Sequence, residues 1–278
     1  MDWNNAKKTV IIILVMLNAF LFFANFRESK IYKITPDREK YAIEVLSKRG
    51  VYLYTDIPDE ILPLEKISVK PVSVNRSFIE KKFFENEDIK ISVEFDKNIL
   101  RSNKKTVAYK GNKINIEYNQ EDSETSNFNS KKAIEFADNM IYDIEGRSNR
   151  FSLLDTIETD EGYKFIYCEK YKGHIIYPSR YEIFVNKNGV KSIDIEYCDI
   201  DGYTGDKSEI FGGDEAIFTL SDYVGKSITI DKIEICYDYQ SNDVSEYSSS
   251  SKLVPYYFIY TIDDEKPYMV NAYTNKVK

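Results

Sequence analysis

The chain is nearly without histidine: its 278 residues hold one, His174. A single imidazole cannot supply a paired histidine metal site. A serine triad would need that imidazole beside a serine elbow, and no Gly-x-Ser-x-Gly occurs. The stretch Lys172-Gly173-His174-Ile175 predicts a solvated turn. Cysteine is scarce as well. Cys168, Cys198 and Cys236 form no CxxC, so neither a zinc site nor a thioredoxin-type redox pair is supported. All three sit in strand-like runs, where apolar neighbours predict buried thiols; one disulfide and one free thiol is the alternative for an extracellular body. Trp3 is the one tryptophan, which leaves tyrosines as the rings for stacking a sugar, and the many Asp and Glu residues leave a carboxylate pair for hydrolysis of wall glycosides as a third, open alternative.

Clusters of basic charge are missing too. The formal net charge is −8, which argues against a nucleic-acid partner. Gly225-Lys226-Ser227 looks like the end of a phosphate loop, but Leu220 stands where that loop needs its first glycine. Asp199, Asp201 and Asp206 with Gly202 hint at calcium, but Tyr203 falls at the fifth loop position, where an EF-hand has a ligand. These absences predict a protein with no catalytic residues, no cofactor and no metal.

What is present is one long apolar run, residues 9–26, with Lys7 and Lys8 before it and Arg27, Glu28 and Lys30 after it. As a helix of about 18 residues it would extend about 27 Å, and it is predicted to span a membrane. A signal peptide would end in small residues, whereas Phe22 stands two positions before Ala24. Lys7 and Lys8 predict a cytoplasmic N-terminus and an extracytoplasmic body. Ile11, Asn18 and Asn25 are spaced by seven, with Leu14 and Phe22 nearby on the same face. That face is a candidate partner-binding surface against another membrane helix. Equally, Asn18 can be a tolerated polar residue that bonds its own backbone.

The rest is charged, rich in its 23 tyrosines, and patterned mainly as strands. Thr35, Pro36 and Asp37 start a helix with Tyr41, Ala42, Val45 and Leu46 on its apolar side, and Gly50 ends it. Strands are expected at 51–55 and 64–72. Asn75 caps a short helix with Phe78, Ile79, Phe83 and Phe84 inward. Ile89, Ile91, Val93 and Phe95 alternate as a strand, and 105–109 pairs with 114–118. Residues 120–129 are polar and mark a domain boundary. Ser130 caps a helix over 131–145, and four antiparallel strands follow between 151 and 198. Residues 199–213 read as a loop, about 214–224 as a helix and 228–239 as a strand. Residues 240–252 read as a mobile loop, and 254–262 with 268–273 as a closing hairpin.

The sequence begins Met1-Asp2-Trp3-Asn4-Asn5-Ala6-Lys7-Lys8 and runs into an apolar helix carrying Leu17-Asn18-Ala19-Phe20-Leu21. It ends with Leu253-Val254-Pro255-Tyr256-Tyr257-Phe258-Ile259, then Pro267-Tyr268-Met269-Val270-Asn271-Ala272-Tyr273-Thr274. These two ends resemble the YycI branch of the YycH/YycI family of low-GC Gram-positive bacteria. The last hairpin is also similar to the closing hairpin of PepSY-type modules.

The resemblance implies an α+β protein: one N-terminal transmembrane helix, then helix-plus-antiparallel-sheet units, the last PepSY-like. The expected layout is a cytoplasmic tail (1–8), a membrane helix (9–26) and extracytoplasmic domains at 31–119 and 130–278. It also implies a non-catalytic regulator of the WalK (YycG) sensor histidine kinase in cell-wall metabolism. The implied partners are that kinase, a YycH-like paralogue and the lipid bilayer. A PepSY-like or inhibitor-like module that binds some other exported protein or a wall ligand is the alternative.

Overall fold

The computed structural model describes residues 3–59, 61–72, 74–85, 87–119, 125, 127–146, 150–240 and 251–278, without the side chains of 4–6, 23–31 and 71. Most of the polar boundary stretch, 120–124 and 126, and most of the expected mobile loop, 241–250, therefore lie outside the described residues.

Helix α1, Trp3–Ile31, contains the apolar run, but among the described residues no helix is long and apolar enough to cross a membrane. This overturns the predicted transmembrane helix, and with it the single-pass localisation with a cytoplasmic tail and an extracytoplasmic body. The side chains of 23–26 lie outside the described residues, and the rest of the run, 9–22, is shorter than the roughly 20 predominantly apolar residues that a bilayer core requires.

Helix α2, Pro36–Lys48, starts as its sequence dictates. Thr35 is extended, and its hydroxyl accepts from the Arg38 N–H. Ala42 and Leu46 are buried, whereas Tyr41 points outward. Strands β1, Val51–Leu53, and β2, Leu64–Pro71, follow. Helix α3, Arg76–Phe83, is capped by Asn75, whose side-chain oxygen accepts from the Phe78 N–H at 2.9 Å. Strands β3, Lys90–Glu94, and β4, Lys97–Arg101, form a tight hairpin, and β5, Lys105–Lys110, pairs with β6, Lys113–Tyr118. Helix α4 covers Ser130–Glu145, with Asn129 rather than Ser130 as its cap. Next come β7, Phe151–Thr159, β8, Gly162–Tyr171, β9, His174–Asn186, β10, Gly189–Glu196, and β11, Cys198–Ser208. Helix α5, Gly213–Val224, and strands β12, Ile228–Tyr239, β13, Ser251–Thr261, and β14, Tyr268–Asn271, complete the chain.

Among the described residues these strands join one mixed 14-stranded sheet whose main path runs β11-β2-β13-β12-β9-β10-β6-β5-β4-β3. The expectation of separate antiparallel units is corrected here. β12 runs parallel to both β1 and β9, and those long-range pairings fuse the strands into one sheet. β1 and β2 pair with strands from the far end of the sequence, which local patterning cannot show.

Two helical layers cover the sheet. The Ala133, Ala137 and Ile141 face of α4 packs with Phe165, Tyr181, Ile183, Ile193 and Ile195. Ala42, Leu46, Ala216, Ile217 and Leu220, from α2 and α5, pack with Ile228, Ile230, Tyr257, Ile259 and Val270. The Arg38 guanidinium ties those two helices together, donating to Asp214 at 2.6 and 2.9 Å in a bidentate pair. β13 is covered on both faces. Tyr257 and Ile259 face the helices, while Val254, Tyr256 and Phe258 meet Leu154, Ile166, Cys168 and Cys236 on the other side. That accounts for its near-continuous apolar sequence. The three cysteines are buried free thiols, and burial pushes the Cys168 and Cys198 pKa up to about 12.

Candidate functional site

The β8–β9 hairpin turns through Lys172 and Gly173, with φ of +48° and +91°. Both central residues are left-handed, as a tight two-residue hairpin requires, and Tyr171 and His174 close it as a cross-strand pair. The turn lies beside β11, which ends the main sheet path and pairs, among the described residues, with β2 alone. Tyr203 on β11 faces the turn. Its ring centroid is 5.6 Å from Tyr171 and 6.3 Å from His174. His174 also meets Tyr237 edge-on at 5.3 Å, and the Lys172 ammonium lies 4.9 Å from the Tyr203 ring. Beneath these rings lie Ile67, Val69, Ile176, Cys198, Tyr237 and Leu253. The Tyr237 hydroxyl donates to the Glu65 carbonyl at 2.8 Å, so its polar end is satisfied by β2.

His174 is therefore half-buried among aromatic rings, which corrects its expected place as a solvated turn residue. Burial lowers its pKa, so the imidazole is neutral at pH 7. Burial likewise raises the Tyr203 pKa, keeping that phenol protonated. Among the described residues no second strand pairs with β11, and its faces have room at Gly202 and Gly205. A Cβ at Gly202 would meet only the Tyr171 hydroxyl, at 3.8 Å, and nothing lies within 4 Å of one at Gly205. Asp199, Asp201 and Asp206 are exposed along the same strand, with Asp201 accepting from Lys70. The arrangement offers backbone edge, aromatic contact area and acidic charge together, which suits recognition of an extended, basic segment.

The other sequence-derived candidates fall elsewhere. Ile11, Leu14 and Phe22 are all exposed on α1, and the Asn18 amide donates to the Leu14 carbonyl at 3.0 Å. The side chain of Asn25 lies outside the described residues. Gly225, Lys226 and Ser227 follow the C-terminal end of α5 and, with Arg49, Ser221 and Asp222, line an open surface depression of about 490 Å³. A phosphate loop instead precedes a helix N-terminus, where free N–H groups point at the anion. Among the described residues no group of three or more His, Cys, Asp or Glu side chains could hold a metal.

Sequence reasoning missed Tyr171, Tyr203 and Tyr237 as partners of His174. β11 is bulged between Ile200 and Gly202, which breaks the period-two pattern that would have marked it as a strand.

No protein-family model matches the chain, and no curated protein does. The likeness is in fold. An uncharacterized protein from Eubacterium rectale ATCC 33656 superposes with a TM-score of 0.52 at 13% identity, covering 82% of this chain and 90% of that one. The C-terminal domain of Bacillus megaterium YpeB matches with a TM-score of 0.40 at 15% identity, over 74% of this chain and 98% of that domain. At these identities the Eubacterium protein speaks to fold alone, and the YpeB match is too loose to carry an argument.

Proposed function

We propose that this chain is a non-catalytic protein-binding module, PepSY-like or inhibitor-like, that grips an extended basic segment of another protein along β11. The observation that supports it most is the Tyr171–Lys172–His174–Tyr203 cluster at a sheet edge with one partner strand. An added strand would gain main-chain hydrogen bonds, and the rings would supply the contact area that concentrates binding energy. Asp199 and Asp206 would favour lysine and arginine on the incoming segment and make binding weaken with salt, Asp201 being paired with Lys70.

An alternating lysine–valine peptide is a suitable probe, titrated by fluorescence anisotropy against the full chain. Tyr203→Ala should weaken binding about tenfold or more, since aromatic interface anchors carry about 1–3 kcal/mol. A peptide that binds equally well to wild type and Tyr203→Ala would sink the reading.

The resemblance of the two sequence ends supports a second reading of the partner's identity, a WalK-type sensor kinase acting with a YycH-like protein. A photo-reactive residue at Tyr203 distinguishes them. Capture of kinase or YycH-like peptides favours regulation of that kinase; capture of a different defined protein favours an inhibitor-like role.

A further inference from the structure

β3 ends the sheet path opposite β11 and, among the described residues, pairs with β4 alone. Its connection to β4 is the two-residue turn Phe95–Asp96, with φ of +50° and +60°. That geometry suits asparagine, aspartate or glycine, and a phenylalanine there is strained. The Phe95 ring is 98% exposed, so almost nothing within its own chain offsets the strain. Ile91 and Val93 on the adjoining strand are 45% and 70% exposed.

A two-residue hairpin closes on a hydrogen-bonded pair, here Glu94 with Lys97. Alternation then directs the backbone groups of Lys90, Ser92 and Glu94 inward to β4. The N–H and C=O of Ile91 and Val93 face away from it, unpaired.

The sequence Lys90-Ile91-Ser92-Val93-Glu94 is complementary to itself when run antiparallel about Ser92. Ile91 then lies opposite Val93 of the second copy, and the reverse, which are the positions whose outward groups can exchange four hydrogen bonds. Lys90 lies opposite Glu94 of the second copy at both ends, in the closer-spaced non-hydrogen-bonded positions. One residue further on, Phe95 reaches Ile89 of the second copy, and the exposed ring gains an apolar neighbour. Backbone parity, charge and apolar contact agree on one register. We propose that two copies of this chain associate by antiparallel pairing of their β3 strands about a two-fold axis at Ser92. The contact is isologous and extends the sheet of each copy into the other. It is small, so the dimer is weak and concentration-dependent.

The test is sedimentation velocity on the full chain over a concentration series, where a monomer–dimer equilibrium is expected. Val93→Pro removes an outward N–H that makes no bond to β4, so the monomer keeps its fold while the dimer dissociation constant rises about tenfold or more. Lys90→Glu places like charges opposite each other across the two-fold axis and should have a similar effect, while Glu94 keeps its bidentate partner Arg101. Phe95→Asn relieves the strained turn, so the monomer's melting temperature rises while the dimer weakens. Monomer throughout the series overturns the proposal. So does a dimer indifferent to Val93→Pro or to Lys90→Glu.

Discussion

Glu145→Ala is expected to destabilise the protein by about 3–5 kcal/mol, the range found when one partner of a buried ion pair is removed. The carboxylate sits at the last residue of α4, 9% exposed, and its Oε1 gathers three donors. The Lys82 ammonium donates at 2.7 Å, the Tyr197 hydroxyl at 3.2 Å, and the Tyr181 hydroxyl also donates to it. Tyr181 is fully buried and meets Phe151 edge-on at 4.8 Å, so the network joins α3, α4, β9 and the end of β10 within one core. Alanine would leave the ammonium and one phenol without an acceptor, since the Tyr181 and Tyr197 hydroxyls can bond only one to the other, and each buried orphan is costly.

The pH dependence follows from the same contacts. Burial pushes the Glu145 carboxyl upward, but Lys82 and the two tyrosine hydroxyls outweigh it and hold the group below its ordinary 4.5. A depressed folded-state pKa contributes stability that is present above the unfolded value and is lost as pH falls through the folded one. Urea unfolding across pH 3–7 should therefore show a steeper acid loss in wild type than in Glu145→Ala. The comparison is Glu161→Ala, which removes the exposed partner of Lys191 and should cost under about 1 kcal/mol. Equal losses for the two variants would refute the network's role.

The parts of this fold that were legible in the sequence are those governed by neighbours along the chain. Thr35 with Pro36, and Asn75, announce helix starts because a cap is a contact over three residues. The antiparallel run from β7 to β10 was legible for the same reason, its partners being adjacent in sequence and joined by short turns. β4 was not, because Ile99 and Leu100 are consecutive and both buried, one on each face of the sheet, so no alternation marks it. The parallel pairing of β1 with β12 depends on residues brought together only by the whole fold. The apolar run at 9–26 was read as a membrane span from its composition and length, whereas among the described residues no helix is long and apolar enough to cross a membrane. His174 stood out because it is alone, but its environment comes from Tyr203 on a bulged edge strand and Tyr237 on β12, neither of which its own neighbourhood reveals.

Gly162→Ala is the second large effect, and it acts through backbone rather than side chains. Gly162 begins β8 after a turn that closes back on Thr159, whose hydroxyl donates to the Gly162 carbonyl at 3.0 Å. On its other side β9 passes so near that a Cβ would lie 2.2 Å from the Val185 carbonyl oxygen and 3.0 Å from the Asn186 Cα. No rotamer relieves that collision, because the atoms met are main chain. The strands must part where Tyr163 pairs with Val185, a residue fully buried against α4's core. Forcing atoms into a packed interior costs about 1–3 kcal/mol and sometimes more. About 3 kcal/mol, or a fall in melting temperature of roughly 10 °C, is expected for a body of this size. Gly189→Ala gives the contrast. Its φ of +102° strains an alanine, but no atom lies within 4 Å of the added Cβ. It should cost only about 1–2 kcal/mol for the backbone conformation. Calorimetry that ranks Gly189→Ala as the worse variant would mean that chain conformation, and not the approach of β9, fixes glycine at position 162.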